Sequence, residues 1–132
     1  LAAAIHEFTS YIKATNAVQI EVNTHQYTID HRGLEETILY QSVQELINNT
    51  LKHSRADHIK IDLKSFDNQI ILYYRDNGIG FDLNAELKKN SGYGLSNIIN
   101  KMKTIKGSCD INSEPGKGMF LIASVRIPEN IT

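Results

Sequence analysis

The chain has 132 residues, of which 41% are hydrophobic and 22% charged, and its net charge is −1. These values are typical of one globular domain that buries roughly two thirds of its unfolded surface, and they exclude a general electrostatic attraction to nucleic acid or anionic membranes. The single Cys109 excludes an internal disulfide and is typical of a reducing compartment. We find no signal peptide and no apolar run near the ~18 residues that a transmembrane helix needs.

The first part of the chain predicts a helix, a strand and a second, longer helix. Apolar residues recur every three or four positions from Leu1 to Ala14, which indicates an amphipathic helix, and Val18–Val22 alternates as a half-buried strand does. A polar, turn-like segment follows. Its His25 and His31 have no second ligand at metal spacing, so we interpret both as surface residues. Leu34 to His53 has the apolar stripe of the longest helix.

The polar face of this long helix carries a candidate set of ligands. Glu45 and Asn49 are four residues apart and therefore share a face, and Lys52 and His53 follow one turn later. Carboxylate and amide oxygens suit Mg²⁺, and a cation suits phosphate. Taken alone, these residues are more typical of a solvated helix face with a Glu–Lys pair.

The second part of the chain predicts two hairpins separated by a loop and a helix. Asp67 and Asn68 are turn residues between two strand-like runs, and Gly107 follows a helical pattern as a C-cap does. The predicted elements are strands at Asp57–Phe66 and Gln69–Tyr74, a mobile loop at Leu83–Ser91, a helix at Leu95–Ile105, and strands at Cys109–Asn112 and Met119–Ile127.

Two glycine motifs flank the predicted loop. Asp76 ends a strand and is followed by Gly78 and Gly80, so a carboxylate stands beside a turn that a ligand can approach closely. Gly92 and Gly94 lead into a helix, whose N-terminal amides are a ready site for phosphate. Each motif alone is also compatible with an ordinary surface turn.

The order of these motifs resembles that of an ATP-binding superfamily. Its members are DNA gyrase, the ninety-kilodalton heat-shock chaperone, mismatch-repair ATPases and bacterial sensor histidine kinases. The match is closest to the kinases. Gln44–Ser54 resembles their N box, Asp76–Phe81 the G1 box, Gly92–Leu95 the G2 box, and Ser113–Gly118 the closing turn. Because four motifs occur in this order over nearly the whole chain, we interpret them as one binding site rather than as a solvated helix face and unrelated surface turns.

The resemblance implies an α/β fold of the Bergerat type, a two-layer sandwich in which helices cover one face of a mixed, mostly antiparallel sheet. It implies that Asp76 binds the adenine amino group, that Asn49 ligates Mg²⁺ and that Glu45 lies close to the metal as a catalytic residue beside Asn49. The residues that it implies for ATP binding are Asn49, Lys52, His53, Asp76, Gly78, Gly80, Gly92, Gly94 and Leu95.

As function, the resemblance implies the ATP-binding catalytic domain of a two-component sensor histidine kinase. Residues 1–132 are expected to be one domain of a longer, membrane-anchored protein, since the chain begins with Leu1 rather than Met, and to lie in the cytoplasm. The expected partners are the dimerisation and histidine-phosphotransfer domain of that protein and a response regulator. His6-Glu7 lies too close to the N box to be the phosphoacceptor, so the domain is not expected to phosphorylate itself.

Two other functions remain open at this point. A stand-alone serine kinase of the anti-sigma-factor type has the same ATP site, but it transfers phosphate directly to a protein serine. An ATP-gated binding module would use the nucleotide only to close a lid. For the kinase domain itself, we expect no nucleic acid and no membrane contact by this chain.

Overall fold

Five strands form one mixed sheet in the computed structural model, which describes residues 1–15, 18–88 and 94–128. The strand order is β1-β2-β3-β5-β4; β1 is parallel to β2, and the other neighbours are antiparallel. The strands are β1 (Gln19–Asn23), β2 (His58–Phe66), β3 (Gln69–Asp76), β4 (Ser108–Ser113) and β5 (Met119–Arg126). The two predicted hairpins are confirmed, and the turn between β2 and β3 has positive φ angles at Asp67 and Asn68, 55° and 61°.

The helices pack against one face of this sheet. They are α1 (Ala2–Thr15), α2 (Leu34–Asn49), which continues as a π-helical turn (Thr50–Ser54), α3 (Leu83–Lys88) and α4 (Leu95–Thr104). Within the described ranges, no helix combines the length and the hydropathy that crossing a membrane requires.

Alternation along the strands decides which sheet face is buried. Because successive side chains in a strand point to opposite faces, every second residue of the central strands faces the helices. The other face carries exposed Lys60 and Arg75 beside half-buried Tyr73 and Phe120. The predicted two-layer α/β fold is thereby confirmed. The buried strand residues include Ile59, Ile61, Leu63, Ile70, Leu72, Tyr74, Leu121, Ala123 and Val125, which meet Leu46, Ile47, Ile98 and Met102 of the helices.

The segment predicted as a loop from Leu83 to Ser91 is helical in its first part. The helix α3 covers Leu83–Lys88, and Asp82 caps it: its Oδ1 accepts a hydrogen bond from the Ala85 N–H at 3.2 Å. Six residues are too few to show a helical period, so the loop prediction was wrong here. Residues 89–91 of the predicted loop lie outside the described residues.

Two helix ends also differ from the prediction. The helix beginning at Leu34 changes to the π-helical turn at Thr50 instead of continuing regularly to His53. At the end of α4, the left-handed residue is Lys106 (φ 56°) rather than Gly107, whose N–H donates to Met102 O at 2.8 Å. Gly107 is needed there because a Cβ would lie 2.8 Å from the backbone carbonyl oxygen of Ser124.

Candidate functional site

Asp76 is the last residue of β3 and is 4% exposed. Both of its carboxylate oxygens accept hydrogen bonds from the protein: Oδ1 from the Gly78 N–H at 3.0 Å, and Oδ2 from the Thr50 hydroxyl at 2.8 Å. The carboxylate therefore has a fixed orientation at the point where the strand gives way to the glycine turn. A carboxylate held in this way can still accept a hydrogen bond from a ligand, because each oxygen has two acceptor positions.

The glycines of the G1 box allow close contact with two other segments. A Cβ on Gly78 would overlap the carbonyl oxygen of Ser54, at the end of the π-helical turn. Gly80 has φ +67°, and a Cβ there would overlap the carbonyl oxygen of Glu114 in the closing turn. Backbone hydrogen bonds join the same pieces, since Ile79 N–H donates to Ser54 O at 2.7 Å. The turn after Asp76 is thus held between the end of the N box and the closing turn.

The closing turn completes this contact. The Ser113 hydroxyl accepts a hydrogen bond from the Phe81 N–H at 3.0 Å and donates to Gly118 O at 2.7 Å. Gly118 has φ +71°, and a Cβ there would overlap the carbonyl oxygen of Asp76. The two glycine-rich turns therefore pack backbone against backbone, which larger residues would prevent.

The predicted N-box residues lie on α2 and the turn that follows. Asn49 is 5% exposed, Glu45 is half-buried, and Lys52 and His53 are exposed on the π-helical turn. A π-helical turn widens the helix and is frequent at functional sites. It changes the direction of the side chains that follow Asn49 relative to a regular helix.

Glu45 lies directly against the start of α4. Gly94 is the N-cap of that helix, with φ 63° and ψ 20°, and a Cβ on it would overlap Glu45 Oε1. Leu95 is the first residue of α4, so its backbone N–H belongs to the first turn, in which N–H groups have no acceptor within the helix. Its side chain is buried. A small cavity of about 70 Å³ between α2 and α4 is also lined by Glu45. Gly92, the first glycine of the G2 box, lies outside the described residues.

The structure therefore brings the motifs together in pairs. The end of the N box contacts the G1 turn through Thr50 and Ser54, and its Glu45 meets Gly94 of the G2 box. Thr50 was missed by the sequence reasoning, as was Tyr74, whose hydroxyl contacts that of Thr50. The signal was available for Tyr74, because a residue two positions before Asp76 in a strand must share its face.

His31 has closer neighbours than the sequence indicated. Its Nδ1 lies 2.7 Å from Glu36 Oε1, and Glu36 Oε2 accepts the Gly33 N–H at 2.6 Å. Hydrogen bonding to Glu36 raises the pKa of His31 above its ordinary value. Glu35 also contributes a ligand atom within 4.8 Å of the other two. Because Glu36 accepts the N-cap Gly33 N–H as in a capping box, this group forms a reinforced helix start at α2.

Comparisons with known proteins agree with this architecture. Residues 34–131 match the family described as histidine kinase-, DNA gyrase B- and HSP90-like ATPases. The chain is 34% identical over 99 residues to the sensor histidine kinase ComP of Bacillus subtilis, and the match covers 75% of this chain and 13% of that protein. It is 35% identical over 91 residues to the histidine-protein kinase/phosphatase DegS of the same organism, covering 68% of this chain and 24% of DegS. The chain thus spans at most about a quarter of these relatives.

A solved structure shows the same fold. The histidine kinase domain of a blue-light-activated histidine kinase from Erythrobacter litoralis superposes with a TM-score of 0.78 at 15% identity, covering 95% of this chain and 60% of that one. The family match extends over most of the chain and includes all four motifs. The chain belongs to the histidine kinase-, DNA gyrase B- and HSP90-like ATPases and is an ATP-binding domain of that family.

Proposed function

We propose that this chain is the ATP-binding catalytic domain of a two-component sensor histidine kinase, and that it positions Mg-ATP for transfer of the γ-phosphate to a histidine on a separate domain. The observation that carries the proposal is the buried Asp76 carboxylate, held by Thr50 and by Gly78 at the start of the glycine turn. The likeness to relatives named as histidine kinases favours a histidine acceptor over a serine acceptor.

Asp76 reads the adenine base in this proposal. Its carboxylate accepts a hydrogen bond from the exocyclic amine, and Gly78 and Gly80 shape the base pocket because the lack of side chains lets the turn pack against Ser54 and Glu114. Adenine presents this amine and guanine presents a carbonyl oxygen at the same position, so the carboxylate repels guanine. Discrimination of this kind is strong when a buried charged group would lose its partner.

The N box and the G2 box hold the metal and the phosphates. The amide oxygen of Asn49 is the Mg²⁺ ligand, and Glu45 lies near the water shell of the ion. These hard oxygen donors fit Mg²⁺, which is usually held by one or two protein oxygens together with substrate phosphates. The bound ion neutralises charge on the phosphate oxygens. Lys52 and His53 face the phosphate chain from the π-helical turn.

The start of α4 supports the phosphates from the other side. Gly94 and the amide of Leu95 provide N–H groups at a helix N-terminus, where the helix dipole favours an anion. Gly92 is assigned to the same phosphate contact from the sequence motif alone. The close approach of Glu45 to Gly94 joins the N box to this helix terminus. Because a carboxylate repels phosphate, the proposed arrangement requires Mg²⁺ between the two groups.

The chemistry itself is a displacement at the γ-phosphorus. A ring nitrogen of the acceptor histidine attacks the γ-phosphorus in line, the bond from that phosphorus to the bridging oxygen breaks, and ADP leaves with the electron pair. This chain contributes position and charge rather than a covalent group of its own.

We further propose that residues 1–132 act as one unit within a longer protein. The dimerisation and histidine-phosphotransfer domain of that protein supplies the acceptor histidine, and a response regulator receives the phosphate from it. The unit works in the cytoplasm, and the whole protein is anchored in the bacterial inner membrane. The much greater length of the relatives ComP and DegS supports the proposal that this unit is part of a longer protein.

The test is a transfer reaction with radiolabelled ATP. The chain is incubated with Mg-ATP and the dimeric helical domain of its full-length protein, and the acid stability of the bound phosphate is measured. We expect acid-labile phosphate on a histidine of that domain. Acid-stable phosphate on a serine would support a serine kinase instead, and nucleotide binding without transfer would support an ATP-gated module.

A matched pair of variants completes the test. Asp76→Ala should abolish most of the transfer at limiting ATP, because it removes the proposed base contact. Asp110→Ala removes an exposed carboxylate from β4 and should leave the transfer unchanged.

A further inference from the structure

We propose that Thr50 and Tyr74 are positioning residues of the base site, in which two linked hydroxyls hold the Asp76 carboxylate in the orientation that accepts the exocyclic amine of adenine. This inference rests on the proposed function, because it assumes that Asp76 reads the base. It adds a specificity device that the glycine motifs do not contain.

The three side chains form a buried row between β3 and the N box. Thr50 is 2% exposed, Tyr74 is fully buried, and Asp76 is 4% exposed. Thr50 Oγ1 lies 2.5 Å from the Tyr74 hydroxyl and 2.8 Å from Asp76 Oδ2. The Tyr74 hydroxyl also lies 3.1 Å from Leu46 O. Tyr74 and Asp76 share a face of β3, so a single strand register fixes two of the three groups.

Counting protons decides the direction of this row. The row contains two hydroxyl protons, from Thr50 and Tyr74, and it ends on two groups that only accept, Leu46 O and the Asp76 carboxylate. Leu46 O already accepts a hydrogen bond from the Thr50 backbone N–H. The Tyr74 proton can go to Leu46 O at 3.1 Å or to Thr50 Oγ1 at 2.5 Å, and two oxygens only 2.5 Å apart need a proton between them, so Tyr74 donates to Thr50. The only proton of Thr50 is then left for Asp76. The reverse direction would leave Asp76 Oδ2 without its donor.

Tyr74 is suited to the donor role. Burial raises the pKa of its phenol, and the nearby charge of Asp76 raises this pKa further, so the hydroxyl keeps its proton. A buried hydroxyl without a partner would be costly, which favours the complete row over a partial one.

The consequence is that the carboxylate is oriented before the nucleotide arrives. Thr50 holds one oxygen and the Gly78 N–H holds the other, so rotation of the carboxylate would break a hydrogen bond at each end. Preorganised acceptors bind more tightly because less ordering remains for the binding step. The backbone of the same residue assists, since Thr50 O accepts a hydrogen bond from the Ser54 hydroxyl at 2.9 Å.

The experiment compares two nucleotides that differ only at the reading position. ATP and purine riboside triphosphate, which lacks the exocyclic amine, are titrated by calorimetry into the chain with Mg²⁺. The preference is the ratio of the two dissociation constants, so a general loss of stability or of phosphate binding cancels. We expect the unaltered chain to prefer ATP by about tenfold or more.

Four variants are compared with the unaltered chain. Thr50→Val keeps the side-chain shape and removes the hydroxyl, and it should reduce the preference for ATP by about three- to tenfold. Thr50→Ser retains the hydroxyl and should restore most of the preference. Tyr74→Phe should give a smaller reduction, of roughly twofold. Thr9→Val is the matched control, because Thr9 is equally buried and its hydroxyl bonds only to its own helix, at Ile5 O and His6 O.

Each outcome distinguishes the two levels of the argument. If the unaltered chain shows no preference for ATP, Asp76 does not read the amine, and the base assignment itself fails. If that preference exists but Thr50→Val and Tyr74→Phe retain it in full, the base assignment stands and the positioning role is wrong. Should Thr50→Val fail to fold, Tyr74→Phe and Thr50→Ser decide the matter, and an undiminished preference in Tyr74→Phe would overturn the proposal.

Discussion

Glu45 on α2 stands so close to Gly94, the N-cap of α4, that any side chain at position 94 would overlap the carboxylate oxygen. The contact joins the helix that carries the proposed metal ligand to the helix that carries the proposed phosphate contacts. The φ of 63° at position 94 favours a glycine, and a side chain there would in addition have to displace the flexible Glu45 carboxylate.

Gly94→Ala should therefore be destabilising and should weaken nucleotide binding. The left-handed conformation costs an L-residue about 1–2 kcal/mol, and the new methyl group displaces the Glu45 carboxylate. Urea unfolding of the single and double variants with Glu45→Ala separates the two causes. If the cost of Gly94→Ala is the same in both backgrounds, only the backbone conformation matters and the contact with Glu45 has no energetic role.

Asp76→Ala should weaken ATP binding by about ten- to a hundredfold, because a hydrogen bond to a charged group contributes about 1.5–3 kcal/mol. The variant also leaves the Thr50 hydroxyl and the Gly78 N–H without their acceptor, so we expect a lower free energy of unfolding. Calorimetric titration and urea unfolding measure the two effects. An affinity equal to that of the unaltered chain would show that the base lies elsewhere.

Asn49→Ala should remove the Mg²⁺-dependent part of nucleotide affinity and leave metal-free ADP binding nearly intact, because the lost group is the proposed metal ligand. The neighbouring Asn48 provides a matched control, since it is exposed on the same helix whereas Asn49 is 5% exposed. Titrations with and without Mg²⁺ are compared for Asn49→Ala and Asn48→Ala. Equal losses under both conditions would mean that Asn49 supports the helix rather than the ion.

The pair His31–Glu36 predicts a pH dependence of stability. Hydrogen bonding to Glu36 raises the pKa of His31 above its ordinary value of 6.5. A histidine whose pKa is higher in the folded state stabilises that state fully below pH 6.5, and the contribution is lost as pH rises through the raised pKa.

The free energy of unfolding of the unaltered chain should thus fall as the pH rises from 6.5 through the raised pKa of His31, and it should fall less in His31→Gln. His25→Gln, a change in the same segment, serves as the control, and chemical unfolding at a series of pH values gives the measurement. Identical pH profiles for the unaltered chain and His31→Gln would contradict the role of this pair.

Local patterns in the sequence were enough to predict the sheet and the positions of the motifs. Alternation in His58–Phe66 and Gln69–Asp76 is a period of two, and it specifies both the strands and the face that they bury. The N box, the G1 box, the G2 box and the closing turn identified the family because four motifs must agree at once in order and spacing. Asp76 was predicted as a site residue because it is an acidic residue at the end of a strand, beside two glycines.

Features that depend on tertiary contacts were not predicted. The Thr50–Tyr74 contact joins residues 24 positions apart, and no local period reports such a pair. The π-helical turn at Thr50–Ser54 has the composition of an ordinary helix, and its distinct geometry appears only where the turn meets the G1 box. The sequence predicted Gly107 as the left-handed residue after α4 because propensity favours glycine there, but Lys106 has the positive φ. The glycine at position 107 is required by close packing against the backbone oxygen of Ser124.

The last prediction concerns what the chain does by itself: with radiolabelled ATP it should bind nucleotide, hydrolyse it slowly and not label its own histidines. A transfer requires a nucleophile held in line, ~3 Å from the phosphorus. His6 Nε2 instead lies 3.0 Å from Thr24 Oγ1, and His31 is paired with Glu36. Ile59 pairs with Asp76 across the sheet, and the adjacent His58 therefore points to the opposite face. The His58 Nε2 lies 3.6 Å from Glu21 Oε1.

Mass spectrometry of the chain after incubation with Mg-ATP provides the measurement, and addition of the dimeric helical domain provides the positive control. Labelling should then appear on the added domain and be lost with Asp76→Ala, because the transfer depends on the bound nucleotide. His25 and His53 complete the set of histidines to be examined. Stoichiometric phosphate on any of the five in the chain alone would mean that the acceptor is internal, and the proposed division of the kinase into a nucleotide-binding part and an acceptor part would be wrong.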